Sequence, residues 1–105
     1  DDFLTFPMMC CGAKGVISVS ANAVPKQVKD MVEAVQNADY LMASKLHLEL
    51  LEFHTAMFIE SNPVPVKKTL ELMGKLQANV RLPLVDMSDE TLEKLKVVLK
   101  KYKVI

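Results

Sequence analysis

The stretch "GAKGVISVSAN" at Gly12–Asn22 decides the fold class of this chain of 105 residues. It is a run of small and β-branched residues that starts between glycines and is too short for a helix. Such a run is typical of a strand buried on both faces. We therefore predict a strand at Gly15–Val19 and a loop of small residues at Ser20–Ala23. A buried strand needs a neighbour on each side, because an unpaired buried backbone group costs about 1–3 kcal/mol.

Helices are predicted on both sides of this strand. Asp1 and Asp2 are candidate caps of a short apolar helix that ends near Gly12. Pro25 fits the first turn of a second helix, and Asn37 is predicted to stop that helix in the left-handed conformation. The apolar residues of the second helix recur at helical spacing, at Val28, Met31, Val32 and Val35. The order helix, buried strand, helix is typical of the end of a βα series.

Three more helices are predicted in the rest of the chain. The longest runs from Tyr40 to about Ile59, with Asp39 as its cap, and its wide apolar face predicts burial on more than one side. Asn62–Pro63 breaks it, and a shorter helix follows at about 66–76. Ser88 caps the last helix, whose acidic first turn and basic last turn suit the helix dipole. Its inward residues are Leu92, Leu95, Leu99 and Tyr102.

Composition and charge bound the class of protein. Half of the residues are hydrophobic and the formal net charge is zero, which favours one globular domain without a basic face. We therefore expect neither nucleic acid nor a membrane as a partner. There is no apolar run near 18 residues and no signal-peptide pattern. Cys10 and Cys11 are the only cysteines, and we expect two reduced thiols packed in a helix of a cytoplasmic protein.

Three motifs occur in a fixed order along the chain. They are "DDFLTFPMMCCGAKGVISVSAN" at 1–22, "FIESNPVPVKKTLELMG" at 58–74 and "VRLPLVDMSDETLEKLKVVL" at 80–99. Together they resemble the dihydrodipicolinate synthase (4-hydroxy-tetrahydrodipicolinate synthase) family over nearly the whole chain. The resemblance places the chain in roughly the C-terminal third of a member. The start at Asp1 rather than at Met fits this expectation of a processed chain or a fragment.

The resemblance implies an α/β fold, of which this chain is the C-terminal fragment of a (β/α)8 TIM barrel. Residues 1–36 would be the end of the barrel, with a helix, strand eight and a helix, and residues 37–105 a C-terminal helical region. The chain itself is then mostly helical. Its strand would pair with strands seven and one, which lie outside this chain. We therefore expect the chain alone to be marginally stable or to self-associate through residues 15–19 and the first helix.

The resemblance also implies a lyase activity. Members condense pyruvate with L-aspartate 4-semialdehyde in lysine and diaminopimelate biosynthesis, through a Schiff base on a lysine of strand six and without a cofactor. That lysine would lie before Asp1, so this chain holds no catalytic residue and is expected to be inactive alone. Members are homotetramers. Two alternatives stay open, another pyruvate-type class I aldolase or lyase of the same superfamily, and a non-catalytic helical fragment.

One residue of the site can be placed on this chain by resemblance. Ile17 matches the isoleucine of strand eight whose main chain lines the pyruvate pocket, although it is also compatible with a plain core position. Lys14 precedes the strand and Lys67 starts a helix, so neither is predicted to be the nucleophile. His47 and His54 are seven residues apart on one helix and complete no metal-binding spacing. We expect them on a partly exposed helical face, and no metal site.

Overall fold

The structure is a computed structural model that describes all residues, 1–105. Five α-helices account for most of the regular structure, together with short 3-10 turns at Asp2–Leu4 and Ser20–Asn22. No residue lies in a β-strand. The helices are α1 (Thr5–Cys10), α2 (Pro25–Gln36), α3 (Tyr40–Ala56), α4 (Val64–Leu72) and α5 (Asp89–Lys101).

The starts of three helices follow the predicted local chemistry. Pro25 occupies the first turn of α2. The Asp39 side chain accepts a hydrogen bond from the backbone N–H of Met42 at 3.1 Å and caps α3. Ser88 Oγ accepts one from the backbone N–H of Thr91 at 3.3 Å and caps α5. These predicted caps are confirmed, as are the acidic first turn and the basic last turn of α5.

The end of α2 differs from the prediction by one residue. Asn37 has φ −86°, and Ala38 is the residue with a positive φ, of 60°. The backbone N–H of Ala38 bonds to the Val35 carbonyl and that of Asp39 to the Ala34 carbonyl, both at 2.9 Å. These two bonds form the Schellman closure, which puts the left-handed residue one place beyond the helix cap.

Three other helix boundaries were predicted too far along the chain. The long helix α3 ends at Ala56 rather than near Ile59, and α4 begins at Val64 and ends at Leu72. The break between them contains the cis peptide bond Asn62–Pro63. The break at this proline was predicted correctly.

The hydrophobic core lies between α2, α3, α4 and α5. Its largest fully buried apolar side chains are Met31, Phe53, Met57, Leu95 and Leu99. The predicted inward stripes of α2 and α5 are confirmed, because Val28, Met31, Val35, Leu95 and Leu99 are buried and the other stripe residues are partly buried. The same core extends from residue 23 to residue 99. The division of the chain at residue 36 stays a prediction.

One side of α3 is exposed, although burial on more than one side was predicted. Leu41, Leu48 and Leu51 are all exposed. Next to α5, Leu48 and Leu51 line an open groove of ≈ 560 Å³ together with Phe58 and Val98. Helix α3 packs against α2, the 3-10 turn at Asp2–Leu4 and α5. Its apolar pattern thus predicted burial correctly, but the side that carries Leu41, Leu48 and Leu51 stays exposed.

The predicted strand at Gly15–Val19 does not form in this chain. The residues from Ala13 to Ser18 have no regular structure, and Gly15, Val16 and Ile17 make no backbone hydrogen bond. The reason is that a β-ladder requires a second strand, and the chain has none. Both Val16 and Ile17 are exposed.

The cysteines also lie differently from the prediction. Cys10 is the last residue of α1 and Cys11 the residue after it. Both are free thiols, as expected, but both are exposed rather than packed. The short α1 buries only Thr5 and Met9, and Met9 packs with Val35 and Ala43 while the two cysteines remain at the surface.

None of the five helices is long and apolar enough to cross a membrane.

The burial of the core predicts that two leucines contribute very differently to the free energy of unfolding. Leu95→Ala should lower the free energy of unfolding by about 2–5 kcal/mol, because Leu95 is fully buried. Leu48→Ala, the matched control, should change it by less than about 0.5 kcal/mol, because Leu48 is 64% exposed. Urea unfolding of the chain measures both. An equal cost for the two variants would contradict this description of the core.

The unpaired segment predicts self-association of the chain. Ile17→Lys should weaken association about tenfold, equivalent to about 1.4 kcal/mol, because a lysine on an open strand edge opposes edge-to-edge pairing. Leu82→Lys is the control, since Leu82 is also highly exposed but lies in the loop before α5. Sedimentation velocity over a range of concentrations gives the comparison. A chain that stays monomeric throughout would show that these edges do not pair.

Candidate functional site

The carboxylate of Asp2 organises the residues that follow the extended segment. Asp2 is almost completely buried. Its Oδ1 accepts a hydrogen bond from Ser18 Oγ. Its Oδ2 accepts from the backbone N–H of Val19 at 3.0 Å and from that of Ser20 at 3.3 Å. One charged group thus satisfies three donors, and hydrogen bonds to an ionised acceptor are among the stronger ones in proteins.

This finding corrects the predicted role of the first two residues. Neither Asp1 nor Asp2 makes a side-chain capping bond to the first turn. The side chain of Asp2 instead accepts hydrogen bonds from Ser18, Val19 and Ser20, which lie 16 to 18 positions later in the sequence. Sequence reasoning missed this contact because a residue pair so far apart leaves no local pattern, whereas an aspartate before a helix is a common cap.

Ser20 extends the contact to the long helix α3. Its side chain is completely buried, and its Oγ lies 2.8 Å from Nδ1 of His54. Ser18 Oγ also accepts a hydrogen bond from the backbone N–H of Ala21 at 2.9 Å. We call Asp2, Ser18, Ser20 and His54 the Asp2–His54 network. It joins the start of the chain, the end of the extended segment and the middle of the fold.

His54 was predicted on a partly exposed face, and this prediction is wrong. It is completely buried, and its Nε2 has no hydrogen-bond partner. Burial lowers the pKa of His54 below its usual value, an effect that nearby His47 strengthens and the Asp2 carboxylate opposes. His54 is therefore neutral at pH 7. The seven-residue spacing predicted a shared face, but it could not identify the segment that covers it.

His47 lies at the margin of the same region and is half-buried. Its ring packs against Phe6 with 5.4 Å between ring centroids, and burial lowers its pKa as well. Its Nδ1 is buried without a partner. No three His, Cys, Asp or Glu side chains of residues 1–105 cluster in this structure.

Ile17 lies at the mouth of an open pocket. The pocket has a volume of ≈ 400 Å³ and lies between the extended segment and the start of α4. Ile17, Ser18 and Val19 line one side of it, and Pro63 and Val66 line the other. The side chain of Ile17 is fully exposed. The small neighbouring side chain of Ser18 is turned toward Asp2, which leaves the pocket open.

The two lysines near the segment do not resemble nucleophiles. Lys14 is exposed, and its carbonyl oxygen accepts a weak hydrogen bond from Gln36 Nε2 at 3.4 Å. Lys67 lines the pocket of Ile17, but its Nζ donates a hydrogen bond to the Asn79 carbonyl. A Schiff-base lysine needs an uncharged amine that is free to attack. The exposed Lys14 and the hydrogen-bonded Lys67 do not show such an arrangement.

The family of this chain follows from direct comparison. The model of the dihydrodipicolinate synthetase family matches residues 1–102. The chain belongs to this family. The resemblance found in the three sequence motifs is thereby confirmed. A 4-hydroxy-tetrahydrodipicolinate synthase from Trichlorobacter lovleyi is 56% identical over 105 residues, which are 100% of this chain and 36% of the relative.

Solved structures of the family have the same arrangement of helices. The crystal structure of dihydrodipicolinate synthase from Aquifex aeolicus superposes with a TM-score of 0.97 at 45% identity, over 99% of this chain and 36% of that chain. The chloride-inhibited enzyme from Acinetobacter baumannii, crystallised in complex with pyruvate, gives 0.95 at 35% identity, over 100% and 36%. The chain thus spans about a third of these relatives and folds like the matching part of them.

The buried histidines predict a loss of stability in mild acid. The pKa of His54 is lowered from 6.5, so the unfolded chain binds a proton more readily than the folded one. The stabilisation is therefore complete above pH 6.5 and declines as the pH falls below this value. Urea unfolding at about pH 7.5 and about pH 5.5 measures the difference.

A variant and a second pH window isolate this effect. His54→Asn should show a smaller difference between the two pH values, and His47, whose pKa is shifted in the same direction, should account for the remainder. Glu60 and Glu71 have lowered pKa values, so their stabilisation is lost only below 4.5 and does not interfere. An unchanged pH difference in His54→Asn would contradict the assignment.

Proposed function

We propose that this chain is the C-terminal part of a Schiff-base-forming 4-hydroxy-tetrahydrodipicolinate synthase. In this proposal residues 1–36 close a (β/α)8 barrel and residues 37–105 form a helical extension. The family membership and the order of the three motifs support it. The chain alone is inactive, because the catalytic lysine belongs to a barrel strand outside residues 1–105.

The observation that carries the proposal is the unpaired extended segment. The backbone N–H and C=O groups of Gly15, Val16 and Ile17 have no partner in the chain, while the segment is held firmly at its far end by Asp2. A segment of this kind fits the last strand of a parallel barrel, with one neighbouring strand on each side. Active sites of such barrels lie at the C-terminal ends of the strands, which is the end that the Asp2–His54 network holds.

Ile17 is proposed to line the pyruvate pocket with its main chain. Its exposure and the open pocket beside it support this role. The Acinetobacter baumannii relative was crystallised with pyruvate, so a pyruvate site exists within the family. In this role Ile17 binds and positions substrate, and it takes no part in proton transfer.

The chemistry divides between this chain and the rest of the enzyme. A lysine amine from outside the chain attacks the ketone of pyruvate, and water leaves as the imine forms. Loss of a methyl proton gives an enamine, which attacks the aldehyde of L-aspartate 4-semialdehyde. No cofactor is needed, because the imine itself serves as the electron sink. The contribution of residues 1–105 is one wall of the pocket and the exclusion of water on that side.

The assembly and location belong to the same proposal. A homotetramer in the cytoplasm is the expected form of the whole enzyme, in lysine and diaminopimelate biosynthesis. The exposed apolar residues of the first turns, Phe3, Leu4 and Met8, support a contact surface near α1. Phe3 and Leu4 lie in the 3-10 turn and Met8 in α1, so they form one short stretch of chain.

Borohydride reduction in the presence of pyruvate tests the proposal. The full-length protein that contains this chain should become covalently labelled on a lysine outside residues 1–105, and the chain alone should remain unlabelled. Lys14→Arg in the full-length protein is the control and should label normally. Intact mass and peptide mapping identify the labelled lysine. Labelling of Lys14 or Lys67 would refute the proposal.

The same experiment separates the two alternatives. A full-length protein that is labelled with pyruvate but does not turn over L-aspartate 4-semialdehyde is another class I aldolase or lyase. A source protein of 105 residues that is never labelled is a non-catalytic helical fragment. The closed core around Leu95 and Phe53 gives that second alternative its physical basis.

A further inference from the structure

We propose that His54 is a positioning residue for the substrate pocket, acting through Ser20 on the backbone that carries Ile17. This inference rests on the proposed function, because it assumes that Ile17 lines the pyruvate site. His54 itself does not line the pocket of Ile17. It is the one completely buried histidine, and the proposed chemistry assigns it no role.

The first step of the argument is the geometry of the contact. Nδ1 of His54 lies 2.8 Å from Ser20 Oγ, and both side chains are completely buried. In this environment neither group can exchange its partner for water, so the bond fixes both side chains. His54 stands in the longest helix of the fold and is therefore a rigid reference point for the loop.

The second step is the path from Ser20 to Ile17. The backbone N–H groups of Val19 and Ser20 bond to the Asp2 carboxylate. Ser20 is thus held from two sides, by Asp2 at its main chain and by His54 at its side chain. Ile17 is three residues earlier and has no backbone bond of its own in the chain. Within residues 1–105 this attachment is therefore what positions Ile17, and in the whole enzyme it acts together with the two proposed neighbouring strands.

The third step is the protonation state. A neutral imidazole has one N–H donor and one acceptor nitrogen, so its Nδ1 can form a hydrogen bond with the Ser20 hydroxyl without a charge on the ring. The burial that lowers the pKa of His54 favours this neutral form. The neutral ring forms this bond in either tautomer, with Nδ1 accepting from the Ser20 hydroxyl or donating to its oxygen.

Two substitutions of His54 in the full-length enzyme distinguish positioning from packing. His54→Leu fills the cavity with apolar atoms but removes the partner of Ser20. His54→Asn leaves a larger void, but its amide can reach the place of Nδ1 and restore the bond. If His54 only packs in the core, the leucine variant should bind pyruvate as well as or better than the asparagine variant. If His54 positions the pocket, the asparagine variant should bind pyruvate more tightly than the leucine variant.

The measured quantities are KM for pyruvate, kcat and the melting temperature. We expect His54→Leu to raise KM for pyruvate about tenfold or more, as a small displacement in a site does, and His54→Asn to recover most of it. Thr69→Val is the control, because it removes a completely buried hydrogen-bonding group at another place in the core, the Thr69 hydroxyl, which bonds to the Pro65 carbonyl in α4. It should lower the melting temperature without changing KM for pyruvate.

The outcomes separate this inference from the function on which it rests. An unsubstituted enzyme that borohydride and pyruvate do not label refutes both. An enzyme that is labelled, but whose leucine variant has an unchanged KM or a lower KM than the asparagine variant, refutes the role of His54 alone. If His54→Leu does not fold, Ser20→Ala removes the same bond with a smaller change in volume, and an unchanged KM in that variant has the same meaning.

Discussion

The hydrogen bonds of the Asp2 carboxylate are the interaction on which the arrangement of this chain depends. The extended segment has no partner strand in the chain, so its course is determined where it ends. Asp2 binds three donors there, and two of them are backbone N–H groups. A buried carboxylate is costly unless its acceptor sites are filled, and buried N–H groups are costly without an acceptor. The carboxylate therefore supplies the acceptor that the N–H groups need, and the N–H groups supply the donors that the carboxylate needs.

The structure thereby combines a complete helical core with an extended segment that has no partner. The helices need only one another, because their backbone bonds are internal and their apolar stripes meet in a common core. The extended segment needs neighbours that no residue of the chain supplies. The exposed side of α3 at Leu48 and Leu51 is a second surface without a neighbour. Both features fit a chain that spans about a third of its relatives.

Local signals predicted the helices well and the tertiary contacts poorly. Asp39 and Ser88 were identified as caps because their partners lie three residues away. The exposure of Leu48 was missed, because an apolar stripe does not reveal whether its neighbour is present. The burial of His54 was missed for a related reason. Its partner Ser20 is 34 residues distant, and a serine in a run of small residues carries no distinctive pattern.

At the candidate site, too, the sequence motifs identified one residue and missed the residues that contact its segment from distant positions in the chain. The resemblance of motifs singled out Ile17, and the structure locates it at an open pocket. No motif singled out the groups that hold its segment, Asp2, Ser20 and His54, although all three lie in the chain. A barrel site collects its reacting groups from several strands, so the nucleophile and the pocket wall need not be close in sequence. The pocket wall and the groups that support it must instead be in direct contact, because only groups that touch the end of the segment can position it. In the proposed enzyme, residues 1–105 would for this reason contain one whole, preformed element of the site without holding the reacting lysine.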